Sequence, residues 1–279
     1  MFDTKVAMAL LQIGEVFGHD TALAASRHKQ NLHHCPFREN ECAKGNKRNP
    51  LGICSLTDGS TGTVVCPVRF LENQTMFRDA ARIAFGQGAE CVAVPEVRVL
   101  EVLRDGRRKK IGKVDYLLAK ILDGEAVDFA ALEVQAVYIS GESIRPAFEH
   151  YLATGQLSDA SRRRPDFRSS AQKRLMPQLA LKVPIFRRWG KRFFVATDST
   201  FFAELPQMRP QTSGNAEVTW LAYRFERQLH GGYLMQPPQV VHSLWDDVET
   251  ALREGKAPEK SELLAQLTAT ARTLRRFTT

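Results

Sequence analysis

The residues best placed to do chemistry stand in two apolar stretches. Asp115 interrupts KVDYLLAKI, where a strand would otherwise carry Val, Leu and Ile, and Glu133 and Gln135 fall in FAALEVQAVYI. Side chains repeat every second residue along a strand, so Glu133 and Gln135 share a face. A hairpin joining the two strands would bring Asp115 and Glu133 together. A pair of carboxylates is suited to a divalent cation, and hydrolysis of a phosphodiester needs what such a cation supplies: an activated water and charge stabilisation on the phosphoryl oxygens. An acid in a buried strand is costly without a cation. The order along the chain is Asp, a gap, then Glu-x-Gln. An uncharged amide can still orient a water or support a metal through its carbonyl.

A second group of chemically capable residues lies earlier. Cys35, Cys42, Cys54 and Cys66 are separated by six, eleven and eleven residues. The stretch from His33 to Pro67 is rich in Cys, Gly, Asn, Lys and Pro and has little periodic apolar content, so it needs a staple. Four thiolates suit zinc or iron, and folding around such an ion supplies the missing stability. No CxxC pair is present. His33 and His34 are alternative ligands, and Cys91, which opens an apolar run, reads as a small buried hydrophobe. The first 20 residues lack the pattern of a signal peptide, and no window reaches the roughly 20 apolar residues that span a bilayer. The expectation is a cytoplasmic protein without a membrane segment, with reduced thiols.

The elements that must position these groups follow from periodicity. Residues 1 to 30 read as helical, with Val6, Leu10, Leu11 and Ala22 to Ala25 on apolar faces. Residues 70 to 85 place Phe70, Phe77, Ala80, Ala81, Ala84 and Phe85 near one face of a helix. A three-strand meander follows, punctuated by Asp105-Gly106 and Asp123-Gly124. Helices are expected over 142 to 156 and 166 to 183, the second interrupted by Pro177. Strands are expected over 192 to 197 and 217 to 226. Two amphipathic helices close the chain, the first started by Ser243 and Asp246 as a capping box, the second lined by Leu263, Leu264, Leu267 and Leu274.

Charge points to a polyanion. Lys and Arg number 39 against 31 Asp and Glu, a formal +8, and nucleic acid is the commonest partner of such a surface. The basic residues cluster at Lys44, Lys47 and Arg48, at Arg104 and Arg107 to Lys110, at Arg162, Arg163, Arg164 and Arg168, and at Arg187, Arg188, Lys191 and Arg192. The candidates for reading DNA are Arg38, Lys44, Lys47, Arg48, Arg162, Arg163, Arg164 and Arg168, since arginine donates in a bidentate way to guanine. By base rate, most of them touch phosphate or nothing.

The run from Ile111 to Gly141 resembles the catalytic core of NotI-like and EagI-like restriction endonucleases. The EVFG at 15 to 18, the Cys-Pro-Phe at 35 to 37 and the GICS at 52 to 55 resemble their N-terminal cysteine region. The resemblance touches 14 to 225, and the order, cysteine cluster before catalytic strands, is its specific part. It implies an α/β protein with a PD-(D/E)xK core, a central mixed sheet flanked by helices, and an N-terminal four-cysteine module. The expected division is 1–68 for the helical and metal-binding module and 69–279 for the nuclease domain. Asp115 and Glu133 would bind Mg²⁺, Gln135 would replace lysine as in NotI-like enzymes, and Val114 departs from the motif proline. The resemblance also implies another acid upstream near the same metal, for which Glu96 in VPEVRVL is the choice and Glu101 its rival. The four cysteines would hold iron or zinc, with iron implied by the family. The implied activity is type II cleavage of double-stranded DNA at a GC-rich palindrome containing CGGCCG, by a homodimer with a separate cognate methyltransferase. Two other readings are open: a non-catalytic DNA-binding protein on a nuclease fold, and a repair or mobile-element nuclease of low sequence preference.

Overall fold

A computed structural model describes residues 11–22, 33–42, 44–46, 48–157, 164–229, 231–253 and 259–271. The first strands are β1 (Gln12–Val16), β2 (His19–Asp20), β3 (Ile53–Thr57) and β4 (Thr61–Val64). Helix was expected over this beginning, but Gln12–Val16 is extended and pairs antiparallel with β3. Ile13 and Val16 bury with Ile53 and Leu56, and that cross-strand packing outweighs a weak local helix preference. Val6, Leu10 and Leu23 to Ala25 lie outside the described residues.

A 3-10 segment, Pro67–Gln74, leads into α1 (Thr75–Phe85), whose Met76 and Ala80 are buried. The expected meander follows as β5 (Cys91–Arg104), β6 (Arg107–Leu122) and β7 (Glu125–Gln135), each antiparallel to the next. Asp105, Gly106, Asp123 and Gly124 all take positive φ at the two turns, as such hairpins require.

After α2 (Arg145–Thr154), a π-helical turn at Ser169–Leu175 runs directly into α3 (Met176–Arg188). Pro177 lacks the N–H that a helix continuous with this turn would use, and the change from π to α geometry falls just before it, an interruption of the kind expected there. β8 (Phe193–Asp198) and β9 (Val218–Tyr223) lie parallel beside β7.

The run expected as one strand over 217 to 226 is divided. β9 stays in this sheet, while β10 (Phe225–Arg227) and β11 (Tyr233–Met235) join β4. β12 (Gln239–Ser243) returns antiparallel to β9. The central sheet therefore runs β12-β9-β8-β7-β6-β5, and the other runs β11-β10-β4-β3-β1-β2.

Alternation sorts the central strands between two layers. Ala131 and Val195 pack with Leu179, Val183 and Phe186 of α3 on one face, while Leu132 and Phe194 pack with Met76 and Ala80 of α1 on the other. This puts Glu133, two positions from Ala131, on the α3 side.

The closing helices are α4 (Trp245–Arg253) and α5 (Lys260–Ala271). Ser243 does not cap α4. It is buried at the end of β12 with its hydroxyl unpartnered, and Glu217 accepts the Trp245 N–H instead, at 2.8 Å. Leu263, Leu264 and Leu267 of α5 are exposed, and Leu274 lies outside the described residues. No helix among the described residues is long and apolar enough to cross a membrane.

Candidate active site

The register of the meander builds a row of acids. β6 and β7 pair from Leu122 opposite Glu125 back to Tyr116 opposite Leu132, so the next position sets Asp115 across from Glu133. On its other side Asp115 falls between the Val114–Val97 and Tyr116–Pro95 pairs, across from Glu96. Glu96 has a left-handed φ of 57°, is exposed, and reaches Lys113 Nζ at 2.7 Å. Its rival Glu101 stands further along the hairpin opposite Lys110, with Arg108 at 3.7 Å.

The two inner acids differ in setting. Asp115 Oδ2 accepts the Val134 N–H at 2.9 Å; burial raises its carboxyl above the usual range, against that hydrogen bond and the charge of Lys182. Glu133 is buried, and its Oε1 accepts from Lys182 Nζ at 2.7 Å. Its Oε2 has no hydrogen-bond partner. Burial, reinforced by the negative charge of Asp115, pushes the Glu133 carboxyl up to about 7, with Lys182 acting against both. Lys182 also reaches Gln178 Oε1, one turn earlier on α3, at 3.1 Å. The Gln135 amide nitrogen donates to Ala136 O at 2.6 Å, which leaves its carbonyl as the acceptor available to a ligand.

Asp115 and Gln135 open on a cleft of about 900 Å³, lined from the sheet by Glu96, Asp115, Val134 and Gln135 and from the helical side by Lys173, Arg174, Pro177 and Gln178; Glu133 and Lys182 are buried and are not part of its lining. The Arg174 guanidinium lies over the Tyr138 ring at 3.4 Å. One edge of the cleft is shared with a cavity of about 220 Å³ lined by Cys35, Cys42, Cys54 and Cys66, since Lys44, Pro67 and Val68 border both. All four thiols are free, and burial raises those of Cys35, Cys42 and Cys54.

The expected four-cysteine metal module is not formed as a coordination site: among the described residues no group of three or more His, Cys, Asp or Glu is gathered closely enough to hold a metal ion. What is present is convergence of the four sulfurs on one cavity. His33 and His34 are exposed and outside its lining. Cys91 is half-buried at the start of β5, away from the others.

The sequence profile of the restriction endonuclease NotI family matches residues 15–235. The chain belongs to this family. The match takes in both the cysteine cluster and the acid row and stops short of β12, α4 and α5. NotI-family proteins are type II restriction endonucleases, site-specific deoxyribonucleases that act on double-stranded DNA, and that is the enzyme class of this chain. No curated protein and no solved structure matched it.

Within this NotI-family chain the expected DNA-reading residues are scattered. Arg38 is exposed at the rim of the cysteine cavity. Lys44 turns inward, its ammonium donating to Ile53 O at 2.7 Å and Val65 O at 2.9 Å. Arg48, Arg164 and Arg168 are exposed, while Lys47, Arg162 and Arg163 lie outside the described residues. Sequence reasoning missed Lys182, Lys173 and Arg174. For Lys182 a signal existed: it is a lone cation in the apolar run LALKVPIF, and lysine is almost never fully buried unless paired.

Proposed function

We propose that this enzyme cuts both strands of duplex DNA at a GC-rich palindrome containing CGGCCG, using Mg²⁺ held by Asp115 and Glu133. The observation that carries the proposal is the cross-strand opposition of these two acids, with Glu133 Oε2 buried and free of any partner. A buried, unpartnered carboxylate oxygen beside a second carboxylate fits a hard cation. Mg²⁺ held by Asp115 and Glu133 would supply charge stabilisation on the phosphoryl oxygens and a more acidic water.

The side chains around the pair divide the remaining work. Lys182 fixes Glu133 through Oε1 and supplies the positive charge that Gln135 lacks. The Gln135 carbonyl orients a water. Glu96, across from Asp115, is the third acid of the site, and Lys173 and Arg174 hold the scissile phosphate from the opposite side of the cleft. Two copies acting as a homodimer match the symmetry of a palindrome.

The cysteine cluster serves stability. We assign Cys35, Cys42, Cys54 and Cys66 as ligands of one iron or zinc ion, because four free thiols line one small cavity in a loop-rich segment and their donor set suits either metal. Elemental analysis of the protein as purified tests this and decides between the two.

Digestion of plasmid and genomic DNA with Mg²⁺, followed by sequencing of the ends, tests the activity. Discrete fragments sharing a GC-rich palindrome are the expected result. Random degradation would replace sequence-specific cleavage with a nuclease of low preference, and intact DNA with a retained gel shift would leave only a binding protein.

A further inference from the structure

The β5–β6 hairpin is longer than the sheet that carries it. β7 pairs with β6 only from Tyr116 to Leu122, and β5 is the last strand of its sheet. From the acid row outward, the two strands therefore continue as a two-stranded ribbon, and no strand among the described residues pairs with its outer edges. Val99 and Leu100 pack against the α3-side core and anchor the root. Gly112, with φ of 63°, lets the strands close there, since a Cβ would meet Leu100 Cδ1 at 2.9 Å. Beyond Leu100 the ribbon stands free: Val102 and Leu103 are exposed, as are Arg107, Arg108 and Lys109.

The tip is strongly basic. Five of the seven positions from Arg104 to Lys110 are Arg or Lys. Alternation puts Arg107 and Lys109 on one face of the ribbon and Arg108 on the other. Arg108 approaches Glu101 at 3.7 Å. A flat anionic surface would need one basic face, whereas positive charge on both faces suits an arm lying between two phosphate walls.

We propose that this ribbon is a DNA-binding arm that enters the groove of the duplex beside the cleavage site and binds its phosphates through Arg107, Arg108 and Lys109. The major groove, about 12 Å wide, admits a two-stranded ribbon. The eight steps from Glu96 to Arg104 span roughly 25 Å at ~3.3 Å per residue, which is about seven base pairs of duplex. The arm thus starts at the acid row and tracks the DNA away from the cut. This inference rests on the nuclease reading for its placement but not for its test.

The test is fluorescence anisotropy of the full-length protein with a 30-base-pair duplex of arbitrary sequence, without added divalent cation, over a series of salt concentrations. Arg107→Ala/Lys109→Ala is expected to weaken binding roughly tenfold and to lower the slope of log affinity against log salt by about 2, as loss of two phosphate contacts requires. Arg107→Lys, which keeps the charge, is expected to keep the slope. Arg82→Ala/Arg253→Ala removes the same charge from exposed side chains elsewhere and is expected to leave the slope unchanged.

An unchanged slope in the ribbon variant, or an equal fall in the control, would overturn the proposal. So would a change in sedimentation showing that the ribbon holds two copies of the chain together while the salt slope stays as in wild type. A wild-type protein that cuts DNA but shows no slope difference would sink the arm alone. A slope difference in a protein that never cuts would sink the nuclease reading alone.

Discussion

The ammonium of Lys182 lies 2.7 Å from Oε1 of Glu133, and both side chains are almost fully buried. Forty-nine residues separate them in sequence, one on a strand and the other on the helix that covers it. Taking two charges out of water is costly and is recovered only with good geometry and further hydrogen bonds. Gln178 satisfies part of the ammonium, but Glu133 Oε2 remains unsatisfied. The site is therefore built at the expense of stability, which is how binding positions differ from core positions.

Removing Lys182 alone should be severe. Lys182→Met leaves Glu133 buried without its counter-charge and is expected to destabilise the protein by about 3–5 kcal/mol. Pairing it with Glu133→Leu should recover most of that loss. Urea unfolding of the two single variants and the double variant gives the coupling, and additive losses would show that the ion pair is not a unit.

The acid pair should separate binding from cleavage. Asp115→Ala and Glu133→Ala are each expected to cut cleavage by at least about a thousandfold, the scale of losing metal-supplied charge stabilisation. Affinity for a duplex, set mainly by phosphate contacts, should hold within a few fold. Gel shifts beside digestion read both quantities. Glu96→Ala should lower the rate more than Glu101→Ala, because Glu96 and not Glu101 borders the cleft.

The pH dependence carries a sign that can be checked. Glu133 keeps its proton up to about 7 in the fold, against an ordinary 4.5. Between those values the native protein binds more protons than the unfolded chain, so stability is fully present below about 4.5 and is lost as pH rises toward 7. Asp198, buried and pushed up to about 6, acts in the same direction. Without divalent cation, the melting temperature of Glu133→Gln relative to wild type should climb between about pH 5 and pH 8. Cleavage should rise through pH 7, and because cation and proton compete for the same oxygens, more Mg²⁺ should move the midpoint to lower pH. A midpoint indifferent to Mg²⁺ would remove Glu133 from the ligand set.

The thiol cavity predicts a dependence on metal. Cys54→Ser, at a buried thiol proposed as a ligand, should lower the metal content of the purified protein together with its melting temperature, and a strong chelator should do the same to wild type. Cys91→Ser, on a thiol outside the cavity, should change neither. Equal metal content in all of them would dissolve the four-cysteine assignment.

Two features of the site were legible in the residues themselves. Period-two alternation between Asp-Gly turns specified three antiparallel strands, and the same period put Glu133 and Gln135 on one face; both are local consequences of backbone geometry. The cysteines and their loop-rich setting were equally plain, although only folding brought all four to one cavity, and it did so without gathering them into a coordination site.

Other features are properties of long-range packing. The run over 217 to 226 has the pattern of one strand, yet Arg224 divides it between two sheets, because each half finds a different partner far away in sequence. Gln12–Val16 is a strand only because β3 is there to pair with it. Ser243 has the chemistry of a cap but is consumed by burial, and Glu217, just before β9, reaches the helix end instead. Lys44, basic and plausible as a DNA contact, is held by two backbone carbonyls. By itself the sequence determined which residue types could do the chemistry and which of them share a strand face, since those follow from a repeat of two residues. The tertiary structure alone decided that Glu96 rather than Glu101 stands beside Asp115, and that a lysine of α3, Lys182, meets Glu133. Cross-strand register and helix rotation are set by burial across dozens of residues, and no local pattern encodes them.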